Sequence, residues 1–144
     1  QTEDISHIDL PAYIQDLLET VFSSFSERPV RIENKVDSLT LSTKKTVPLG
    51  LIINEVATNA IKHGFNAEEE PRFRVEMQTD PSQEQYVLTV SNSGTLFPEA
   101  VDIHNPASLG LQLISTLVDQ IGGSLELQRR PHPEFRILFP IAES

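Results

Sequence analysis

Strand-like segments of this chain come in adjacent pairs, and helical segments separate the pairs. Residues 72–78 and 85–92 have alternating apolar side chains and are joined by the turn-forming sequence TDPSQE, which predicts a β-hairpin. Further strands are predicted at residues 28–36, 38–42, 124–130 and 134–140. Adjacent strand pairs favour a mixed, largely antiparallel sheet of about five or more strands with three helices packed on one face, an α/β (α+β) two-layer sandwich.

Three segments have the periodicity of helices that pack on a core. The first begins after Asp9, a natural cap, and has Pro11 in its first turn. The second is predicted at residues 45–64, and the third at residues 109–123, ending at two glycines. The apolar positions predicted to face the core in the first and third helices are Tyr13, Leu17, Val21, Leu109, Leu113, Leu117 and Ile121, with Phe25 as a further candidate.

The composition argues against several classes of function. The net charge is −10, with eleven Lys and Arg, so the surface repels a nucleic-acid backbone and we expect no nucleic-acid partner. The chain has no cysteine, which excludes disulfides and thiolate chemistry, and four scattered histidines do not favour a zinc site. No apolar run approaches the roughly 20 residues of a membrane-spanning helix. We therefore expect a cytoplasmic domain, or the cytosolic part of a membrane-anchored sensor, that itself makes no direct membrane contact.

The second helix has more polar side chains than packing on a core requires. On a wheel of about 100° per residue, its aliphatic residues fall on one side, and the other side carries Glu55, Asn59, Lys62 and His63. One interpretation is a solvated surface. The other is a metal–phosphate site, because an amide oxygen is a ligand for Mg²⁺, a carboxylate can orient water and an ammonium group neutralises phosphate charge. The spacing alone leaves both interpretations open.

Three segments, in this order, resemble the motifs of the GHKL (Bergerat-fold) ATPases. LIINEVATNAIKHGF, residues 51–65, resembles the N-box. LTVSNSGTLFPE, residues 88–99, stands at the first glycine box, and SLGLQLISTLVDQIGGSLEL, residues 108–127, resembles the second glycine box with its following helix and strand. These sequences are most similar to those of bacterial sensor histidine kinases of the HWE-related class, and the resemblance covers nearly the whole chain.

The resemblance implies roles for the polar face of the second helix. Asn59 matches the ligand of the Mg²⁺ that bridges the nucleotide phosphates, and Glu55 matches the residue that orients the attacking nucleophile or a metal-bound water. Lys62 and His63 match positions that contact phosphates. Asn59 and Glu55 are therefore the expected catalytic residues, and Asn59 is the expected metal ligand.

The second glycine box is expected to bind phosphate through its backbone, since amides that open a helix can meet phosphate oxygens. The nucleotide-binding residues implied in this box are Ser108, Leu109, Gly110 and Leu111. Taken alone, Gly110 is equally a turn glycine. Ser108 is also a natural helix cap, so its hydroxyl need not touch a ligand.

The chain departs from the family pattern on the adenine side. The family has Asp-x-Gly-x-Gly, in which the aspartate binds the adenine amino group; here Asn92 and Leu96 replace the aspartate and the second glycine, whereas Gly94 is kept. Asn92 still offers an amide oxygen but loses the charge-assisted part of the bond. The family's Gly-Thr-x-Phe is replaced by His-Pro-Glu-Phe at residues 132–135. We expect Asn92 and Gly94 to bind nucleotide, with adenine recognition weakened, altered or lost.

The resemblance implies that this chain is the catalytic domain of a sensor histidine kinase, an enzyme that binds ATP and Mg²⁺. It would supply the γ-phosphoryl group for autophosphorylation of a histidine in two-component signal transduction. His7 lacks the helical context of an acceptor, and His104 and His132 are predicted to face solvent in loops. The long loop at residues 93–107 is the expected ATP lid.

Because the chain begins with Gln, we expect residues 1–144 to be a single domain cut from a longer protein. Its partners would be the dimerisation and phosphoacceptor domain of the same protein and the receiver domain of a response regulator. The alternative is a degenerate Bergerat-fold protein-binding module, with weak or no ATP binding, that docks a regulator or serves phosphotransfer. A third alternative is a serine-kinase anti-sigma factor with the same fold. The sequences PLGLI and SLGLQLI do not favour it.

Overall fold

The computed structural model describes residues 7–65, 70–94, 110–128 and 131–141. Within these ranges the chain forms seven strands, three α-helices and one π-helical turn. In chain order they are β1 His7–Asp9, α1 Leu10–Phe25, β2 Arg31–Val36, β3 Thr40–Ser42, α2 Thr43–Asn59, the π-helical turn Ala60–Gly64, β4 Arg72–Asp80, β5 Gln85–Asn92, α3 Leu111–Gln120, β6 Ser124–Gln128 and β7 Glu134–Pro140.

In the described part of the chain, the main sheet has five strands in the order β2-β4-β5-β7-β6. Strand β2 runs parallel to β4, and the other neighbours are antiparallel, so the predicted mixed, largely antiparallel sheet is confirmed. The predicted hairpin is formed by β4 and β5, from the pair Phe73 and Asn92 to the pair Asp80 and Gln85. Helix α2 lies in the crossover that joins the parallel strands, as parallel pairing requires.

Strands β2 and β3 are neighbours in the sequence but do not pair with each other. Strand β3 instead pairs antiparallel with β1, in a separate two-stranded sheet where His7 faces Ser42. The amide of Asp37 donates to the carbonyl of Met77 at 3.1 Å, which continues the β2–β4 ladder beyond the strand. The adjacent pair suggested by the sequence is therefore split between two sheets.

The core lies between the helices and one face of the main sheet. Along β4, Phe73, Val75 and Met77 are fully buried, whereas the residues between them are half-buried. This alternation follows from the two-residue period of a strand. On the opposite face, Arg74 forms ion pairs with Glu33 and Glu76, each at 3.5 Å. The predicted two-layer sandwich, with helices on one face, is confirmed.

The first helix confirms its predicted start and corrects one core residue. The carboxylate of Asp9 accepts a hydrogen bond from the amide of Ala12 at 3.3 Å, so Asp9 is the cap. Tyr13 and Leu17 pack on the core as partly buried residues, and Val21 is buried. Phe25 is 70% exposed, so its placement in the core is wrong.

Phe22 takes the place in the core that Phe25 was expected to fill. Its ring lies 5.3 Å from that of Phe73 and 6.3 Å from that of Phe65, between centroids. Phe25 is the last residue of α1.

The third helix corrects one of its predicted core positions. Leu113 is 46% exposed, so its placement in the core is wrong. Leu109 lies outside the described residues. The side chains buried within α3 are Leu111, Ile114, Leu117 and Val118. A strict spacing of four drifts around the helix, whereas steps of three and four stay on one face. Leu117 and Ile121 are buried as predicted.

In the described ranges, none of the helices combines the length and apolarity needed to cross a membrane.

Candidate functional site

The second helix ends in a widened turn. Regular α-helix runs from Thr43 to Asn59, and the π-helical turn Ala60–Gly64 follows. The turn closes where the amide of Phe65 donates to the carbonyl of Ala60 at 2.9 Å, five residues earlier. The prediction of one regular helix over residues 45–64 is therefore wrong in its last turn, which contains Lys62 and His63 and is π-helical. Turns of this kind are rare and occur often at functional sites.

The residues of the polar face differ in exposure. Lys62 is exposed, and Glu55 and His63 are half-buried. Asn59 is only 3% exposed and has a hydrogen-bonding or electrostatic partner. A solvated surface does not account for a buried amide, because burying an amide costs free energy unless its polar atoms are satisfied. The buried aliphatic side of the helix is confirmed: Ile53, Val56, Ala57 and Ala60 are all fully covered.

The two glycine segments converge on the last turns of this helix. Gly110, which precedes α3, has φ +71° and lies against Glu55, where a methyl group would overlap the carboxylate. Gly94, which follows β5, has φ +101° and lies against the carbonyl oxygen of Gly64, where a methyl group would overlap the backbone. Both positions suit only glycine, because of the positive φ and the close approach. The three family motifs therefore meet at residues 55–64.

Asn92 is buried at this meeting point with one polar atom unsatisfied. Its side chain is 3% exposed, and its Nδ2 donates to the carbonyl of Ser93 at 2.8 Å. A methyl group on Gly64 would stand 2.7 Å from that Nδ2. Within the described part of the chain, Oδ1 of Asn92 has no hydrogen-bond partner. A buried orphan acceptor costs about 1–3 kcal/mol, so the site is suited to a ligand that brings a donor.

Backbone and side-chain contacts from neighbouring strands hold the first glycine segment. Three hydrogen bonds join Ser93 and Arg72. The amide of Arg72 donates to the Ser93 hydroxyl at 2.8 Å, and the amide and the hydroxyl of Ser93 donate to the Arg72 carbonyl at 2.9 Å and 3.4 Å. The amide of Asn92 donates to the carbonyl of Pro133 at 3.3 Å. Nδ1 of His132 lies 3.0 Å from the carbonyl oxygen of Gly94.

Sequence reasoning missed Ser93 and His132 as supports of this segment. A hydroxyl at the exit of a strand is a local signal for Ser93, because serine often bonds nearby backbone in turns. His132 is exposed, as predicted, yet it contacts the backbone of Gly94. Asn92 and His132 also line a cleft of about 180 Å³ together with two arginines, Arg72 and Arg74, and two glutamates, Glu33 and Glu134, so the charge of the cleft is mixed.

The second glycine segment places bare amides at the start of α3. The cap residue is Gly110, which has a positive φ and no side chain that could cap the helix. Ser108 lies outside the described residues, so its role as a helix cap stays a prediction. Leu111 is fully buried, so only its backbone remains a candidate for binding. The first amides of a helix lack partners within it and carry partial positive charge.

Two predicted site residues, Ser108 and Leu109, lie outside the described residues. So do Leu96, which departs from the family pattern, His104, which is predicted to face solvent, and most of the loop at residues 93–107. Among the residues that are described, no group of three or more His, Cys, Asp and Glu side chains could hold a metal ion. A magnesium ion bound through one amide oxygen, waters and substrate phosphates does not require such a group.

Comparison with known proteins supports the same family. A family model described as a histidine kinase-like ATPase domain matches residues 30–133. Blue-light-activated histidine kinase 2 of Erythrobacter litoralis is 26% identical over 123 residues, which cover 85% of this chain and 35% of that protein. The sensor histidine kinase PdtaS of Mycobacterium tuberculosis is 29% identical over 103 residues, which cover 71% of this chain and 20% of that protein. The chain thus spans 35% or less of the length of these two relatives.

Solved structures share the fold. The histidine kinase domain of a blue-light-activated histidine kinase from Erythrobacter litoralis superposes with a TM-score of 0.84 at 23% identity, covering 98% of this chain and 65% of that one. The Acinetobacter baumannii histidine kinase AdeS superposes with a TM-score of 0.75 at 13% identity, covering 99% of this chain and 70% of that one. With the family model matching well over half of the sequence, this chain belongs to the histidine kinase-like ATPase domain family.

Proposed function

We propose that this chain binds ATP with Mg²⁺ and acts as the catalytic domain of a sensor histidine kinase. The observation that carries the proposal is the convergence of both glycine segments on the last turns of α2. Gly110 lies against Glu55, and Gly94 lies against the carbonyl of Gly64. A packing helix has no need of two positive-φ glycines at one end, whereas a nucleotide site needs close backbone approach and exposed amides.

The phosphate side of the proposed site is the face from Glu55 to His63. Asn59 would hold Mg²⁺ through its amide oxygen, and Mg²⁺ would neutralise charge on the phosphates. Glu55 would orient the attacking group or a water. Lys62 and His63, in the π-helical turn, would contact phosphate oxygens. The bare amides that open α3, at Gly110 and Leu111, would supply further donors.

The base side of the proposed site is Asn92. Its Nδ2 already donates to the carbonyl of Ser93, and its Oδ1 is an acceptor that no described residue uses. The exocyclic amino group of adenine is a donor that matches this acceptor, whereas guanine has a carbonyl in the corresponding place. The bond would lack the charge assistance that an aspartate provides. The orphaned oxygen therefore fits adenine recognition, at lower strength than the family pattern.

The γ-phosphoryl group would pass to a histidine outside this chain, on a dimerisation and phosphoacceptor domain. His7 is not a suitable acceptor, because it lies in the short strand β1 and pairs across from Ser42. The curated relatives are histidine kinases of which this chain matches only a part, and this supports a separate acceptor domain. We place the domain in the cytoplasm, where ATP is available, with a response-regulator receiver domain as the next partner in two-component signalling.

A second function, a protein-binding module with weak or no ATP binding, is favoured by one observation. Asn92 lacks the negative charge of the family aspartate, and Pro133 stands where the family threonine helps bind adenine. The backbone of Pro133 instead accepts a hydrogen bond from the amide of Asn92 at 3.3 Å. Docking of a regulator would then be the main activity. Nucleotide binding separates the two functions.

The test is thermal or chemical unfolding with and without Mg-ATP, for the wild type and for Asn59→Ala. A ligand at about 100 times its dissociation constant stabilises the fold by about 2.7 kcal/mol, and we expect this gain for the wild type only. Asn34→Ala is the control: Asn34 is a half-buried amide, whereas Asn59 is buried, and it bonds Pro11 and Gln15 of α1. We expect it to lower stability and keep the gain. Absence of any gain at millimolar Mg-ATP in the wild type would favour the binding module.

A further inference from the structure

The π-helical turn at the end of α2 is tied to a residue far away in the sequence. Arg28, in the connection between α1 and β2, donates from Nη2 to the carbonyl oxygen of Phe65, 37 residues later. Phe65 is also the residue whose amide closes the turn on Ala60. Phe65 therefore takes part in both hydrogen bonds: its amide closes the turn on Ala60, and its carbonyl accepts the bond from Arg28.

The surroundings of Arg28 direct its charge to this carbonyl. The side chain lies with Ile61 and Phe65 in a surface cleft of about 250 Å³ under the turn. Glu27 lines the same cleft. Within the described ranges, however, none of the ion pairs involves Arg28, and its guanidinium bonds the carbonyl of Phe65. A cation is favoured at the end of a helix, where the last carbonyls carry partial negative charge. The contact is therefore charge-assisted and local to the turn.

The turn needs such an anchor because its hydrogen-bond register is not the usual one. A regular helix would join the amide of Phe65 to the carbonyl of Ile61, and π-helical turns are rare. Burial holds the Phe65 ring, which is 3% exposed and packs 6.3 Å from the Phe22 ring. The bond from Arg28 holds the Phe65 backbone. Lys62 and His63 lie inside the turn, so their direction depends on its register.

We propose that Arg28 is a positioning residue for phosphate binding: by holding the carbonyl of Phe65, it keeps the π-helical turn in register and so aims Lys62 and His63. The consequence for phosphate rests on the proposed function, whereas the anchoring of the turn does not. Arg28 itself touches no nucleotide in this account. It acts from the opposite side of the turn.

The first measurement is amide hydrogen exchange of residues 60–65 without nucleotide, in Arg28→Ala and the wild type. We expect exchange in the turn to be about tenfold faster in the variant, which corresponds to about 1.4 kcal/mol of lost local stability. Arg31→Ala is the matched control, because Arg31 is 76% exposed and pairs with Glu33 at 3.8 Å, on the edge strand. We expect it to leave exchange in the turn unchanged. Equal exchange in Arg28→Ala and the wild type would overturn the proposal.

The second measurement compares the binding of Mg-ATP with that of adenosine, which has the base but no phosphates. We expect Arg28→Ala to weaken Mg-ATP binding about tenfold and to leave adenosine binding unchanged. Arg28→Lys keeps a charged donor and should recover part of the loss. An equal loss for both ligands would mean general destabilisation and would overturn the positioning role.

The two measurements separate this proposal from the proposed function. If the wild type binds neither Mg-ATP nor adenosine, the proposed function fails and with it the role in phosphate binding. The exchange comparison still supports or overturns the anchoring of the turn by Arg28.

Discussion

The phosphate side and the base side of the site are built in different ways. On the phosphate side, Glu55, Asn59, Lys62 and His63 come from a single helix end, and every one matches the family pattern. On the base side, Asn92 and Gly94 follow a strand and are held by contacts from Arg72 and residues 132–133. The base side has Asn92 where the family pattern has an aspartate. The two sides therefore differ in what positions their residues: a single helix end on the phosphate side, and contacts from neighbouring segments on the base side.

The largest effect is expected from breaking the base side at its backbone. Gly94→Ala would place a methyl group on the carbonyl of Gly64 at φ +101°. Displacing the Gly64 backbone costs free energy, and a residue with a side chain is strained at this φ. We therefore expect Gly94→Ala to lower the free energy of unfolding by about 3 kcal/mol or more. Urea unfolding measures it. A loss below about 1 kcal/mol would show that the two segments are not closely packed.

The next effect separates backbone strain from the contact on the phosphate side. Gly110 and Gly122 have nearly the same φ, +71° and +72°. Replacing either glycine by alanine should lower the free energy of unfolding by about 1–2 kcal/mol. Only at Gly110 does the methyl group meet the Glu55 carboxylate, whereas at Gly122 the nearest atoms are 3.6 Å away. We expect Gly110→Ala alone to weaken Mg-ATP binding. Equal effects of the two variants on Mg-ATP binding would show that Glu55 and Gly110 are not part of the nucleotide site.

The smallest effect comes from restoring the family residue on the base side. Asn92→Asp gives a charged acceptor, so we expect Mg-ATP to bind more tightly, by about 1 kcal/mol in a calorimetric titration. The same change buries an unpaired carboxylate, so the ligand-free protein should unfold more easily. Asn34→Asp, beside α1, controls for the added charge and should not change affinity. Unchanged affinity in Asn92→Asp would mean that Asn92 does not contact the base.

Local patterns were enough to predict much of the fold. The hairpin at residues 72–92 and the cap at Asp9 follow from turn chemistry, strand alternation and helix-start preferences, and all act between near neighbours. The resemblance implies one site formed by the second helix and the two glycine segments, and the structure brings Gly110 to Glu55 and Gly94 to Gly64.

The features that the sequence could not predict depend on distant residues. The π-helical turn is closed by local atoms, but Arg28, 37 residues away, holds it, and no pattern in AIKHG indicates an extra residue in the turn. The pairing of β3 with β1 rather than β2 is likewise non-local. His132 contacts Gly94 only because β7 pairs with β5, which places their ends together.

The most direct test of the account is to map which backbone amides respond to Mg-ATP by NMR chemical shifts. We predict that the shifts concentrate at residues 59–65, 92–94 and 110–112, which are the end of α2 and the two glycine segments. Amides of the edge strand β2 should stay unchanged. Shifts confined to other surfaces, or no shifts at millimolar Mg-ATP, would contradict the claim that the glycine segments and α2 form one nucleotide site.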